Sequence, residues 1–109
     1  MVIISFATPE LHRWCCEYAA AEAALGSLDA PALIAMLADI EATANGSEFI
    51  DLYCPDASVT DDDILRVDFG SDFRAIFVPV GSRFERDDTG RVKWQTVSRL
   101  KLISIERRN

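Results

Sequence analysis

Apolar and polar residues alternate along residues 64–80, whose sequence is ILRVDFGSDFRAIFVPV. Alternation with a period of two is typical of strands that bury one face. Gly70 and Asp72 lie between two such runs, in a segment typical of a hairpin turn. The cross-strand pairs that a three-residue turn predicts are Phe69 with Phe73, Val67 with Ala75 and Leu65 with Phe77, and, on the other face, Asp68 with Arg74. In this register one face of the hairpin is apolar and the other carries paired charge.

The residues before the hairpin show the three-to-four-residue spacing of amphipathic helices. Thr8 can cap a helix over residues 9–25, which Gly26 ends. Asp29 can cap a second helix, which ends at residues 45–46. The apolar stripes are Leu11, Trp14, Cys15, Tyr18 and Leu25 in the first helix and Leu33, Met36, Leu37 and Ile40 in the second. Because the linker is short, we expect an antiparallel helical hairpin that covers the apolar face of the sheet.

The remaining segments complete an α+β pattern. Residues 2–7 predict a first strand, residues 49–54 a short extended piece and residues 95–106 a last strand, whereas residues 55–63 and 81–93 predict loops. The predicted order is β-α-α-β-β-β, with a two-helix hairpin packed on one face of an antiparallel sheet. All 109 residues form one domain in this interpretation, and the second face of the sheet stays uncovered.

Composition limits the class of protein. Half of the residues are hydrophobic, which predicts a folded domain rather than a disordered chain. The chain has no run of 18 apolar residues and its start, VIISFA, lacks a basic segment, so we expect neither a membrane span nor a signal peptide. Three cysteines without a framework spacing favour free thiols in a reducing compartment. These features together predict a cytoplasmic protein.

Charge is unevenly distributed along the chain. Residues 1–73 carry 2 basic and 14 acidic side chains, whereas residues 74–109 carry 9 basic and 4 acidic ones. A basic C-terminal third can attract phosphate or an acidic partner. The cations expected on the uncovered face or its rim are Arg66, Arg74, Arg99 and Lys101. They could hold an RNA backbone, or they could pair with nearby carboxylates, as Arg74 could with Asp68.

Other combinations of reactive side chains are incomplete. His12 and Cys16 are four residues apart and could share a helix face as metal ligands, but no second pair completes a four-ligand site. We therefore expect Cys15 and Cys16 to be simple thiols. Residues 61–63 are three aspartates without the ligand spacing of a calcium loop, so we expect a solvated loop. The sequence predicts no metal and no cofactor.

Two longer motifs resemble a known family. The strand pair LRVDF…FRAIFVPV resembles the SLDL…YRLIFEP signature of the RelE/ParE toxin superfamily, in its HigB-like plasmid maintenance killer branch. The ending WQTVSRLKLISIE resembles the DW..V…RI.EIE ending of that branch, and ISF followed by two helices is similar to its start. The resemblance implies the toxin component of a type II toxin–antitoxin system, with an antitoxin protein as partner. RelE- and HigB-like members are endoribonucleases that cut mRNA, usually on the ribosome, and so inhibit translation.

The resemblance also implies a site. In the nucleases of this superfamily, basic residues on the open sheet face hold the scissile phosphate, and the RNA 2′-hydroxyl attacks it, so no metal is needed. Arg74 matches the arginine of the YRLIF motif and Lys101 matches a basic position in the last strand, whereas Arg66 is placed by its face alone. The catalytic residues that we expect are therefore Arg74, Lys101 and Arg66. The expected RNA-binding residues are Arg66, Arg74, Arg99, Lys101 and Arg107.

Differences from the family keep other hypotheses open. Residues 50–53 hold no histidine where the family has R-x-H-E-L, the loop 55–63 is acidic rather than rich in Lys and Gly, and residues 107–109 replace a histidine or tyrosine. The candidates for a general base are Glu106, Lys101 and Tyr53. One alternative is a catalytically weak homologue that acts as a protein-binding module for an antitoxin. Another is gyrase inhibition, as in ParE-like members, and a homodimer also stays open.

Overall fold

The computed structural model describes residues 1–108 and shows an α+β fold with a five-stranded sheet. The strands are β1 (Ile3–Phe6), β2 (Ala57–Val59), β3 (Leu65–Phe69), β4 (Phe73–Pro79) and β5 (Arg99–Arg107). The helices are α1 (Pro9–Cys16), α2 (Tyr18–Leu25), α3 (Ala30–Ala42) and α4 (Gly46–Tyr53), with a short 3-10 turn at Trp94–Thr96. The predicted α+β class is therefore confirmed.

The β3–β4 hairpin has the register that the alternation predicts. The Cα partners are Leu65 with Phe77, Val67 with Ala75, Asp68 with Arg74 and Phe69 with Phe73. The apolar set of this register is buried, and the other set is half-exposed. Gly70 begins the turn at φ +62°, where a Cβ would lie 2.5 Å from Asp29 Oδ1. Glycine is thus required both by the backbone conformation and by the close approach of α3's N-terminal end.

The sheet is mixed rather than antiparallel, which corrects the prediction. The strand order is β1-β5-β4-β3-β2, and β1 pairs with β5 in parallel. The helices connect β1 at one edge of the sheet to β2 at the opposite edge. β2 forms within residues 55–63, a segment predicted as a loop, where it pairs with the edge of β3. β5 is shorter at its start than the predicted 95–106 strand. Its register with β4 shifts between Ile76 and Phe77, which leaves Ile103 as a bulge.

The helical layer also differs from the predicted pair. Residues 9–25 form two helices, because Glu17 has an extended conformation with φ −120° and ψ 109°. Residues 49–54 belong mostly to α4 rather than to an extended piece. Asn45 caps that helix, with Oδ1 accepting from Glu48 N at 2.9 Å, and Phe49 is fully buried. The predicted cap of α1 is confirmed, since Thr8 Oγ1 accepts from Leu11 N at 3.2 Å.

Asp29 does not cap α3 as predicted. Its buried carboxylate instead accepts hydrogen bonds from Ser71, from the backbone N at 2.9 Å and from Oγ at 3.1 Å. The start of α3 is thereby tied to the β3–β4 turn, and the helices lie over the apolar face of the sheet. Tyr18, expected on the buried stripe, is 47% exposed because the break at Glu17 turns α2 away from the line of α1.

The core lies between the helices and the inner face of the sheet. Its largest fully buried side chains are Phe49, Phe77, Leu33, Met36, Ile40, Leu65, Leu100 and Leu102. Helix α3 therefore supplies the central apolar stripe that the sequence predicts. No helix within residues 1–108 is both long enough and apolar enough to cross a bilayer.

Candidate nucleic-acid interface

The sheet face that points away from the helices consists of the side chains that alternate with the buried ones. We call it the open face. Its members are Ile3 and Ser5 on β1, Ser58 on β2, Arg66 and Asp68 on β3, Arg74, Ile76 and Val78 on β4, and Arg99, Lys101, Ser104 and Glu106 on β5. All of these side chains are half-exposed or exposed. The helices cover only one side of the sheet.

The structure brings together the cations predicted for the open face. Arg66 lies opposite Ile76, and Arg74 lies two residues along β4 from the same isoleucine. Lys101 lies opposite Val78, on the other side of Ile76. Diagonal neighbours on a sheet face are roughly 7–8 Å apart at their Cα atoms, so these side chains surround Ile76. Arg99 continues the row along β5, towards the end of the sheet.

Arg74 is held by an ion pair, as one of the two interpretations of the sequence proposes. Its Nε donates to Asp68 Oδ1 at 2.8 Å, and Arg108 Nη1 lies 3.5 Å from Asp68 Oδ2. The hydrogen bond from Arg74 lowers the pKa of Asp68, and the charge of Arg108 acts in the same direction. Two guanidinium groups share one carboxylate, so this cluster keeps a positive charge. The Nη groups of Arg74 form no hydrogen bond within residues 1–108.

Three other cations of the open face have no such partner. Arg66, Arg99 and Lys101 form no ion pair within 4.0 Å among the residues that the structure describes. The arginines that do form ion pairs are Arg13, Arg74, Arg86, Arg91, Arg107 and Arg108. Three of the five Lys and Arg side chains without an ion pair within residues 1–108 thus lie on the open face, and the other two are Arg83 and Lys93.

Arg107 lies on the helix-covered side, away from the other predicted RNA-binding residues. Its Cζ lies 5.1 Å from the centroid of the Phe73 ring, and its Nη1 is 4.0 Å from Asp72 Oδ2. Arg108, which the sequence did not single out, faces the open side and donates to the carbonyl oxygens of Gly70 and Ser71. The bulge at Ile103 exchanges the two faces of β5. Unbroken alternation from Arg99 and Lys101 would place Arg107 on the open face. Because of the bulge, Arg108 lies there instead.

The candidate bases occupy different environments. Glu106 is the Cα partner of Arg74, is exposed, and forms no hydrogen bond or ion pair with any residue from 1 to 108 through its side chain. Tyr53 lies in the helical layer, where its hydroxyl donates to Asp39 Oδ2 at 2.7 Å. Burial and the Asp39 carboxylate raise the pKa of Tyr53. Within residues 1–108, Glu106 is therefore an unpaired carboxylate beside the cations of the open face, whereas Asp68 is paired with Arg74 and Arg108.

The other residues considered in the sequence analysis, His12, Cys15, Cys16 and Asp63, lie outside the open face. His12 Nε2 and Cys16 Sγ are 3.4 Å apart on α1, and no three His, Cys, Asp or Glu side chains within residues 1–108 are grouped as metal ligands. Burial raises the pKa of Cys15 to about 12, so that thiol stays protonated at neutral pH. Asp63 is buried rather than solvated, because its carboxylate accepts from Arg91 Nε at 3.2 Å and from Val92 N at 3.3 Å.

Comparison with models of protein families, with curated proteins and with solved structures gives no match for this chain. The relation to the RelE/ParE superfamily therefore stays a prediction that rests on the two motifs.

Proposed function

We propose that this protein is the toxin component of a type II toxin–antitoxin system, and that it binds and cleaves single-stranded RNA on the open face. The observation that supports the proposal most is the group of cations without counter-ions, Arg66, Arg99 and Lys101, on one uncovered sheet face. Unneutralised Lys and Arg side chains bind phosphates and release the counter-ions of the nucleic acid. The RelE/ParE-like motifs of the hairpin and of β5 support the same class of protein.

The direction of β5 suggests the path of the RNA. Arg99 and Lys101 are two residues apart on one strand, which places them roughly 6.6 Å apart along the sheet. Glu106 lies five residues beyond Lys101, roughly 16 Å further along β5. The bulge shortens that distance to roughly 13 Å, because the Cα partners of the two residues, Val78 and Arg74, are four residues apart on β4. We therefore assign phosphate binding to Arg99, Lys101 and Arg66, and place the chemistry at the far end of the strand.

The reacting groups at that end would be Glu106 and Arg74. The Glu106 carboxylate accepts the proton of the ribose 2′-hydroxyl, whose oxygen attacks the adjacent phosphorus. The bond from phosphorus to the 5′-oxygen breaks, and water protonates the leaving oxygen. The free Nη groups of Arg74 donate to the phosphate oxygens as negative charge develops on them. The products are a 2′,3′-cyclic phosphate and a 5′-hydroxyl end, and no metal takes part.

Incubation of RNA with the purified protein and excess EDTA tests the proposal. We expect cleavage products with cyclic phosphate ends, and we expect Glu106→Gln and Arg74→Gln each to reduce the rate by roughly 10²-fold or more. Arg13→Gln is the matched control, because Arg13 is an exposed residue of α1 paired with Glu17. Expression of the wild-type chain should also arrest bacterial growth. RNA that stays intact, both free and on ribosomes, contradicts the assignment as a nuclease.

A second function is favoured by the apolar centre of the open face. Ile76 and Val78 are half-exposed between the cations, and Ile3 and Ile103 are 51% and 37% exposed nearby. An apolar centre with a cationic rim fits an acidic amphipathic segment of an antitoxin. Intact RNA, together with a stable complex between this protein and the product of the adjacent gene, would favour this binding function over cleavage.

A further inference from the structure

A pocket of about 260 Å³ lies at the end of the sheet where β4 stops and β5 begins. The residues that line it come from two segments of chain, with Gly81, Ser82, Arg83 and Phe84 after β4 and Ser98 and Arg99 before and at the start of β5. The φ of Gly81 is +93°, which bends the chain back so that this position faces Arg99. A Cβ at Gly81 would lie 3.7 Å from Arg99 Cδ, in ordinary contact.

The polar groups of the pocket suit an anion. Two guanidinium and two hydroxyl groups line it, and its described lining contains no carboxylate. Arg83 and Arg99 are both exposed, and neither forms an ion pair with any residue from 1 to 108. Arginine forks bind phosphate oxygens in pairs, and serine hydroxyls can complete the hydrogen bonds.

An aromatic ring lies beside these anion-binding groups. Phe84 is half-buried in the wall of the pocket, and Arg86 Cζ lies 5.6 Å from the centroid of its ring. A phosphate site next to an aromatic ring is the combination by which proteins bind nucleotides without reading the base, since every base can stack on a ring. The volume is slightly below the usual range for ligand pockets, so it admits one nucleotide unit rather than a longer ligand.

The pocket and the open face share one residue. Arg99 lines the pocket, and it is also the Cα partner of Ile3 on the open face, two residues before Lys101. A strand of RNA that follows β5 across Lys101 would thus have its next unit at the pocket.

We propose that this pocket binds one nucleotide unit, with the phosphate held by Arg83 and Arg99 and the base stacked on Phe84. The unit is either part of the RNA strand that crosses the open face, in which case the inference rests on the proposed function, or a free mononucleotide. Both sources present the same phosphate ester and base. Neither requires the protein to cleave RNA.

Calorimetric titration of the full chain with adenosine 5′-monophosphate, adenosine and inorganic phosphate tests the pocket. We expect the monophosphate to bind more tightly than either fragment. Arg83→Gln should weaken its binding roughly tenfold, whereas Arg13→Gln should leave it unchanged. Phe84→Ala should weaken binding of the monophosphate but not of inorganic phosphate. Equal unfolding midpoints of the wild type and Arg83→Gln would confirm that the exposed arginine acts on binding alone.

Affinity for a short single-stranded RNA, measured with Arg83→Gln and Arg66→Gln, identifies the source of the nucleotide. Weaker RNA binding by Arg83→Gln supports a pocket that belongs to the RNA path. RNA binding that depends on Arg66 but not on Arg83, together with monophosphate binding that depends on Arg83, supports a site for free mononucleotide. No binding of the monophosphate by the wild type, or equal binding by Arg83→Gln, overturns the inference and leaves the open face untouched. If neither Arg66→Gln nor Arg83→Gln weakens RNA binding, the result counts against the proposed function but not against the pocket.

Discussion

Asp68 is the carboxylate of the open face that pairs with two arginines. Its carboxylate accepts a hydrogen bond from Arg74 and lies within an ion-pair distance of Arg108. The hydrogen bond from Arg74 lowers the pKa of this carboxyl group, so it is ionised throughout the neutral range. A bound phosphate would therefore share Arg74 with Asp68, which occupies Nε, whereas Arg66 and Lys101 pair with no carboxylate among residues 1–108.

Asp68→Asn should have opposite effects on stability and on RNA binding. The free energy of unfolding should fall by about 1 kcal/mol, because a partly exposed ion pair is lost. Affinity for RNA should rise, because one negative charge leaves the open face and two guanidinium groups lose their counter-ion. Urea denaturation and fluorescence anisotropy measure the two effects. Asp72→Asn is the matched control, since Asp72 faces Arg107 at 4.0 Å on the other side, and it should change neither quantity.

The stabilising contribution of Asp68 should depend on pH. Its pKa is lower in the folded state than in the unfolded state, so the contribution is fully present above about pH 4 and is lost as the pH falls through the lower folded-state value. The difference in unfolding free energy between wild type and Asp68→Asn should accordingly shrink below about pH 4. A difference that persists in acid, or an RNA affinity that does not rise, would show that Asp68 acts in some other way.

Single-residue predictions from the sequence succeed where the alternation is unbroken. Arg66 and Arg74 lie on the predicted face because β3 and β4 keep their register from the turn to Ile76. Arg107 leaves the predicted open face and Arg108 takes that position because of one bulge residue, Ile103, whose place depends on pairing with β4 rather than on local sequence. A bulge of this kind has no signal in the alternation of a single strand.

The β3–β4 hairpin is the element whose structure could be predicted best. Its turn chemistry and its alternation are both local, and together they determine the register. The helical layer was less predictable, because neither Gly nor Pro marks the break at Glu17. β2 could not be predicted either, since a three-residue strand forms only when the edge of β3 is available to pair with it. Pairing with residues distant in sequence thus determines β2, which the alternation of apolar and polar residues did not predict.

Asp29 connects two elements that are far apart in sequence. Asp29→Ala should lower the free energy of unfolding by about 1–3 kcal/mol, because the buried carboxylate accepts from Ser71 N and Oγ and the backbone amide would lose its partner. Chemical denaturation measures the change. Asp62→Ala is the control, since Asp62 is exposed in the turn between β2 and β3, and it should cost less than about 0.5 kcal/mol. Equal stabilities of the two variants would contradict the anchoring role of Asp29.

At the scale of the whole molecule, the fold places acidic and basic side chains on different sides. In the sequence, acidic residues predominate in 1–73 and basic residues in 74–109. The chain has a formal net charge of −7, yet β3, β4 and β5 place Arg66, Arg74, Arg99 and Lys101 together on one face. The four helices lie on the other side of the sheet and carry most of the acidic residues before Asp56. The acidic helical side therefore disfavours a nucleic acid, whereas the cations of the open face attract it.

The affinity of the protein for a short single-stranded RNA, measured by fluorescence anisotropy at several salt concentrations, tests the central claim most directly. Arg66→Gln and Lys101→Gln should each weaken binding roughly fivefold, and each should reduce the slope of log K against log salt concentration by about 0.7. Arg13→Gln removes the same charge from α1, where it pairs with Glu17, and should change neither value. Indistinguishable affinities and slopes for the wild type and all three variants would contradict RNA binding on the open face.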